Sequence, residues 1–207
     1  MKKALVLQIP KKYMFVAQRN AAEMKRLQLW DNIYIVTDCA LAGDEFGTDV
    51  TILVLSADLG FSGNLLRLMP HVEEEVFFFC PEDHRPSKVD KQAVLEAFGA
   101  VVRNPRIGLL RLFYFDRYPL QNPGDFISAL IRTDKFYISI GGMGIWRKEY
   151  FSRFLMAGES AWDFERKGTK RAMTDPEDRV FGTNRTIYWH DNVLKRGKIN
   201  EPAIQAI

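Results

Sequence analysis

The six residues from Glu75 to Cys80, E-V-F-F-F-C, constrain the fold of this chain more than any other stretch. A short continuous apolar run bounded by polar residues reads as a buried strand. This run ends directly in Pro81-Glu82-Asp83-His84. In open α/β sheets ligands collect beyond the carboxyl ends of the strands, so Glu82, Asp83 and His84 lie where a polar site is expected.

The surrounding pattern alternates strand with helix. Ala4 to Ile9 is apolar and is closed by Pro10; Asn32 to Asp38 and Thr51 to Ala57 are two further strands. Arg19 to Trp30 spaces Ala21, Ala22, Met24, Leu27 and Leu29 among charges, as a surface helix does. Ser62 or Asn64 can cap a helix carrying Leu65, Leu66 and Leu68, and Ser87 precedes a helical stretch over Val89 to Val101. Arg106 to Phe115, Phe126 to Thr133 and Lys135 to Ile140 read as strands, and Thr186 to His190 as a terminal one. Met173 to Val180, rich in charge and proline, reads as a mobile or substrate-facing loop, and Val193 to Ile199 as a short basic tail segment. Such an order is an α/β signature. With 207 residues, no internal repeat and no interdomain linker, one domain over 1–207 is expected.

Gly141 to Arg171 joins core to chemistry. Met143, Trp146, Tyr150 or Phe151, and Phe154 recur at helix spacing, which predicts an amphipathic helix with Arg147, Lys148 and Arg153 towards water. A turn follows, with the carboxylates Asp163 and Glu165 set among Trp162 and Phe164.

Composition excludes several classes. The chain is 47% hydrophobic and 27% charged, as ordinary globular proteins are. No apolar run approaches the roughly 20 residues that span a bilayer, and Met1-Lys2-Lys3 leads straight into a strand pattern, so a cytoplasmic location is expected. Cys39 and Cys80, in dissimilar contexts, suggest neither a disulfide scaffold nor a structural zinc site. The net charge of +3 is modest, but Lys and Arg bunch between Arg147 and Arg171 and again at Lys195, Arg196 and Lys198, where they either face phosphates or form a solvated surface.

Individual residues carry paired readings. Glu82 and Asp83 can coordinate a hard divalent cation, or are surface charge. Asp38 hydrogen-bonds a nucleoside or caps a turn. Ser62 and Asn64 open a helix whose amides can receive a base or phosphate, or they make a tight turn. His84 binds metal or phosphate, or is structural. Trp146, Trp162 and Phe164 stack on a sugar or hold carboxylates in a dry environment, with core as the other reading of Trp146. There is no G-x-G-x-x-G fingerprint with a following acidic residue, no P-loop and no nucleophile elbow.

The segment G-I-W-R-K-E-Y-F-S-R-F-L-M-A-G-E-S-A-W-D-F-E, followed by G-T-K-R over Gly144 to Arg171, resembles the C-terminal half of small bacterial and phage glycosyltransferases of the GT-A type. Less tightly, Trp30 to Asp38 resembles the donor-side strand, Phe61 to Leu66 the segment before the central helix, and V-F-F-F-C-P-E-D-H the strand bearing the acidic metal motif. Two adjacent aspartates are common there, whereas this chain has Glu82 and Asp83, with His84 in place of a more usual apolar or aromatic residue. The resemblance implies a single-domain GT-A-like, Rossmann-like mixed sheet flanked by helices, a nucleotide-sugar donor and Mn²⁺ or Mg²⁺. It further implies Asp83 bridging metal and diphosphate with Glu82 assisting or contacting the sugar, Glu165 as base if the reaction inverts, Asp163 as a second polar contact or loop-orienting group, and Lys170 and Arg171 near the donor diphosphate. A glycan or lipid-linked saccharide is the leading acceptor. DNA bearing a modified base such as a hydroxymethylpyrimidine is the alternative, and would place a basic strip beside the cleft. A third reading is a nucleotide or nucleic-acid binding module that keeps the fold without a competent metal pair.

Overall fold

The computed structural model describes residues 2–14, 16, 23–39, 50–114, 119–133, 135–141, 143–195 and 198–200. Its frame is an eight-stranded mixed sheet in the order β3-β2-β1-β4-β8-β6-β9-β7. The strands are β1 (Ala4–Ile9), β2 (Asn32–Thr37), β3 (Val50–Val54), β4 (Val76–Cys80), β6 (Leu109–Arg111), β7 (Ile127–Ala129), β8 (Gly144–Arg147) and β9 (Val180–Thr183). β5 (His84–Val89) pairs antiparallel with β10 (Tyr188–Asn192), and β11 (Leu194–Lys195) with β12 (Lys198–Ile199). The helices are α1 (Gly60–Leu68), α2 (Lys91–Arg103), α3 (Lys148–Phe154) and α4 (Ala161–Met173).

Strands β3, β2, β1 and β4 run parallel, and β8 joins β4 antiparallel. Alternation along each strand divides the core in two. Ala4, Val6, Phe77, Phe79 and Trp146 face α1, α3 and α4, whereas Leu5, Leu7, Phe78 and Ile145 face α2. The β1–β4 pair is where the order 3-2-1-4 reverses direction, the position at which doubly wound sheets open a crevice.

The parallel half follows the sequence expectation, with strand ends moved by one to three residues. Of the helix expected over Arg19 to Trp30, only 23–26 are helical among the described residues, and 17–22 lie outside them. Four expectations change. Residues 144–147 form a central strand, because β4 and β6 hydrogen-bond them on both sides; the helix begins only at Lys148. Arg147 and Lys148 are accordingly not free in water: the Arg147 guanidinium donates to the carbonyls of Val101 and Asn104 at the end of α2, and Lys148 Nζ to Val72 O at 2.7 Å. Residues 135–140 form no strand, since Ile138 N donates to the Thr169 hydroxyl (3.0 Å) and Ile140 N to Glu165 (2.8 Å). The helix expected over Val89 to Val101 is α2, Lys91–Arg103, capped by Asp90, which accepts from Ala93 N; Ser87 and Val89 lie in β5.

The loop after α4 is pinned to the body. Asp175 is buried and pairs with Arg153 at 3.1 Å, Asp178 pairs with Arg132, and Arg179 with Glu149.

Candidate functional site

A cleft of about 620 Å³ opens beyond the carboxyl ends of β1 and β4. Gln8 and Pro10 come from the end of β1, Lys12 and Tyr13 from the short 3₁₀ turn after it, Glu82, Asp83 and His84 from the end of β4, and Glu165 from the second turn of α4. Asp58, Phe61, Gly141 and Trp162 complete much of the wall. Glu82 and Asp83, which are 83 and 82 positions before Glu165 in sequence, therefore share one cavity with it.

Among the described residues that line it, Asp58, Glu82, Asp83 and Glu165 face Lys12, so this lining is acidic. Burial pushes the Glu82 carboxyl up to about 7, and the Asp83 charge adds to the rise while the Lys12 ammonium opposes it. Burial also raises Asp83. His84 is buried, its imidazole stacked on His190 at 4.0 Å and 3.7 Å from the Asp83 carboxylate. Desolvation, and after it the neighbouring His190, holds His84 well below the usual histidine range, so it is a neutral ring.

Glu165 is 7% exposed. Its Oε1 accepts from Ser139 Oγ at 2.7 Å, Ile140 N at 2.8 Å and Gly141 N at 3.1 Å. Oε2 makes no hydrogen bond among the described residues. One oxygen thus fixes the carboxylate while the other is left for chemistry, the arrangement a positioned base requires.

Other expected site residues hold structure. Asp163 is half-buried, is not among the described lining residues of the cleft and forms a capping pair: its amide donates to Ser160 Oγ at 3.1 Å and its carboxylate accepts from Ser160 Oγ at 2.9 Å. Those hydrogen bonds, together with Lys167, hold its carboxyl below the usual range. Trp146 is completely buried against Phe151 and Phe164, so the core reading replaces cofactor contact. Arg171 is engaged by Glu159 at 2.9 and 2.8 Å and by Phe154 O at 2.7 Å, and the exposed Lys170 does not line the cleft. Indeed none of the cations between Arg147 and Arg171 lines it. Asn64 accepts from Leu59 N and donates to Asp58, fastening the start of α1; Ser62 is wholly buried in the first turn of the same helix. The Asp38 carboxylate accepts from Lys11 N at 2.6 Å, so it anchors the turn that carries Lys12 and Tyr13 into the cleft.

Lys12, Gln8 and Asp58 were not legible as site residues. Their signal was positional: Gln8 and Lys12 flank the Pro10 that ends the first strand, the same strand-end logic that marked Glu82. Gln8 lines the cleft and is 6% exposed, and its buried Oε1 has no hydrogen-bond partner among the described residues.

Solved structures share this architecture. TarS 1-349 of S. aureus in complex with UDP-GlcNAc aligns with a TM-score of 0.63 at 12% identity, covering 100% of this chain and 62% of that one. HddC from Yersinia pseudotuberculosis aligns with a TM-score of 0.61 at 14% identity, covering 100% of this chain and 98% of that one. The mannosyltransferase PcManGT from Pyrobaculum calidifontis, in complex with GDP-Man and Mn²⁺, aligns at 0.57 and 11%, covering 95% and 58%. The fold is GT-A. This chain spans about 60% of the TarS chain. No protein-family profile matches the sequence, and no curated protein is similar to it. Likeness at 11 to 14% identity establishes the fold alone.

Among the described residues, no group of three or more His, Cys, Asp or Glu is disposed to hold a metal ion. Mg²⁺ and Mn²⁺ are commonly held by one or two carboxylates, with waters and substrate phosphates completing the shell. The Glu82–Asp83 pair, half-buried on an open cleft with both carboxyls raised, fits that mode.

Proposed function

We propose that this chain is a glycosyltransferase that binds a nucleotide-sugar donor in the β1–β4 cleft and transfers the sugar to an acceptor hydroxyl. The observation that carries this reading is the convergence of Glu82 and Asp83 with the half-satisfied Glu165 carboxylate in one cavity at the switch point of a GT-A sheet. The donor complexes of TarS and PcManGT support it by fold.

Asp83 and Glu82 would hold a divalent cation, which when bound supplies positive charge to a departing nucleoside diphosphate. Lys12 adds a protein cation on the same wall. Gln8 offers its unpartnered Oε1 to a donor N–H group, and Tyr13 lends an aromatic face. Glu165, held by three donors, takes the acceptor hydroxyl's proton at Oε2 as the oxygen attacks the anomeric carbon; this is the role required for inversion. His84 serves as a neutral buttress for Asp83.

The acidic lining favours a saccharide acceptor over DNA, because phosphate strands would meet Asp58 and Glu165 at the cleft. The test is equilibrium binding of UDP, GDP and their sugars with and without Mn²⁺. Tighter binding of at least one with the cation, lost in Asp83→Asn, is expected. Equal binding with and without the cation would instead favour a binding module that lacks a competent metal pair.

A further inference from the structure

We propose that Trp162 is the acceptor platform, and that the acceptor presents a neutral pyranose; this rests on the transferase reading of the cleft. Trp162 is 68% exposed, the largest exposure among the exposed large hydrophobic residues described. The other three tryptophans have ring partners: Trp30 stacks on Phe78, Trp146 meets Phe151, and Lys88 lies over Trp189. Trp162 has none among the described residues, so its indole contributes nothing to the core that would account for it. Yet it is not remote from the chemistry. Trp162 and Glu165 sit three residues apart on α4 and both line the cleft. That spacing sets their Cβ atoms about 5 to 6 Å apart. The backbone that carries both side chains is fixed by the Ser160–Asp163 cap at the start of α4, and the Glu165 carboxylate by the 139–141 loop.

A flat, electron-rich face beside an oriented carboxylate suits a ligand that is apolar on one side and hydroxylated around its edge, which describes a pyranose ring. Laid on the indole, such a ring turns an edge hydroxyl towards Glu165. Asp58, which also lines the cleft, accepts from Gly60 N and Asn64 Nδ2 with Oδ1, and its other oxygen makes no hydrogen bond among the described residues, so it can accept from a second hydroxyl. The lining carboxylates also set a charge rule. A uronic or sialic acid would add a negative charge to a lining that already holds Asp58, Glu82, Asp83 and Glu165, whereas a neutral sugar brings only donors that carboxylates can accept from.

The experiment measures binding without donor, so that it is read separately from turnover. Methyl pyranosides of glucose, galactose, mannose and N-acetylglucosamine, with methyl glucuronide as the charged comparison, are titrated by ligand-observed NMR against wild type, Trp162→Ala and Trp162→Phe. At least one neutral pyranoside is expected to bind wild type more tightly than the glucuronide. Trp162→Ala is expected to weaken it on the order of tenfold and Trp162→Phe to recover most of the loss, with the melting temperature unchanged in both. In transfer assays the same variants raise the acceptor KM more than they lower kcat. Absence of pyranoside binding to wild type, equal binding by Trp162→Ala, or a preference for the glucuronide would each overturn the proposal. Failure of the transferase reading shows differently, as no nucleoside diphosphate release by wild type with any donor.

Discussion

Burial holds the Glu82 carboxyl up at about 7, and the neighbouring Asp83 charge adds to the rise. The folded value lies above the ordinary 4.5, so this group's contribution to stability is complete below about 4.5 and is lost as pH rises through about 7. Asp83 is shifted in the same direction. Without a divalent cation, the melting temperature should fall between pH 5 and pH 8, with up to roughly 3 kcal/mol involved. Glu82→Gln should flatten that slope, and Mn²⁺ should raise the melting temperature more at pH 8 than at pH 5. A calorimetric pH series checks this; a wild-type curve that rises with pH and ignores the cation would remove the pair from the metal role. Glu165 makes a separate prediction. Glu165→Gln keeps an Oε1 acceptor for Ser139, Ile140 and Gly141, so the fold and donor affinity should hold while transfer falls on the order of 10²- to 10⁴-fold. Single-turnover transfer beside donor titration separates the two effects.

Helix α4 and strand β8 carry the next level. Ser160→Ala removes the cap of the helix that presents both Trp162 and Glu165, at an expected cost of about 1 kcal/mol in denaturant unfolding. Trp146→Ala should cost about 3 to 5 kcal/mol while leaving the donor affinity of the folded fraction as in wild type, which distinguishes a core tryptophan from a donor contact. Much of the parallel half was legible in sequence, because buried strands write themselves as continuous apolar runs such as Val76–Cys80. The strand β8 was not. Met143, Trp146, Tyr150 and Phe154 fit a helical period, but Gly144 to Trp146 pair with β4 and β6, and such partners leave no local signature. Gly144 records the constraint: a Cβ there would come within 2.7 Å of Leu109 Cδ1. Glu82 and Asp83 were legible because charge punctuates the end of β4, and Glu165 through the resemblance over Gly144 to Arg171, whereas Asp58 carried no such mark. Which cations reach the cleft was not, since Arg147 and Arg171 turn to carbonyls and Glu159, while Lys12 arrives on a turn fixed by Asp38.

At the scale of the molecule, the sheet's reversal between β1 and β4 gathers the end of the first strand, the Glu82–Asp83 loop and α4 around one acidic cavity. The opposite face, packed on α2, lends it no lining residue. Chemistry is thereby concentrated at one end of the parallel strands, as in other doubly wound folds. The basic surface of α4, with Arg166 and Lys170 exposed, lies outside the cavity lining and does not alter its sign. The most direct measurement is release of nucleoside diphosphate from a panel of UDP- and GDP-sugars, with and without Mn²⁺, by wild type and Asp83→Asn. The account predicts cation-dependent release from at least one donor, reduced at least about a hundredfold by Asp83→Asn. No release across the panel, or release unchanged by Asp83→Asn, would contradict it.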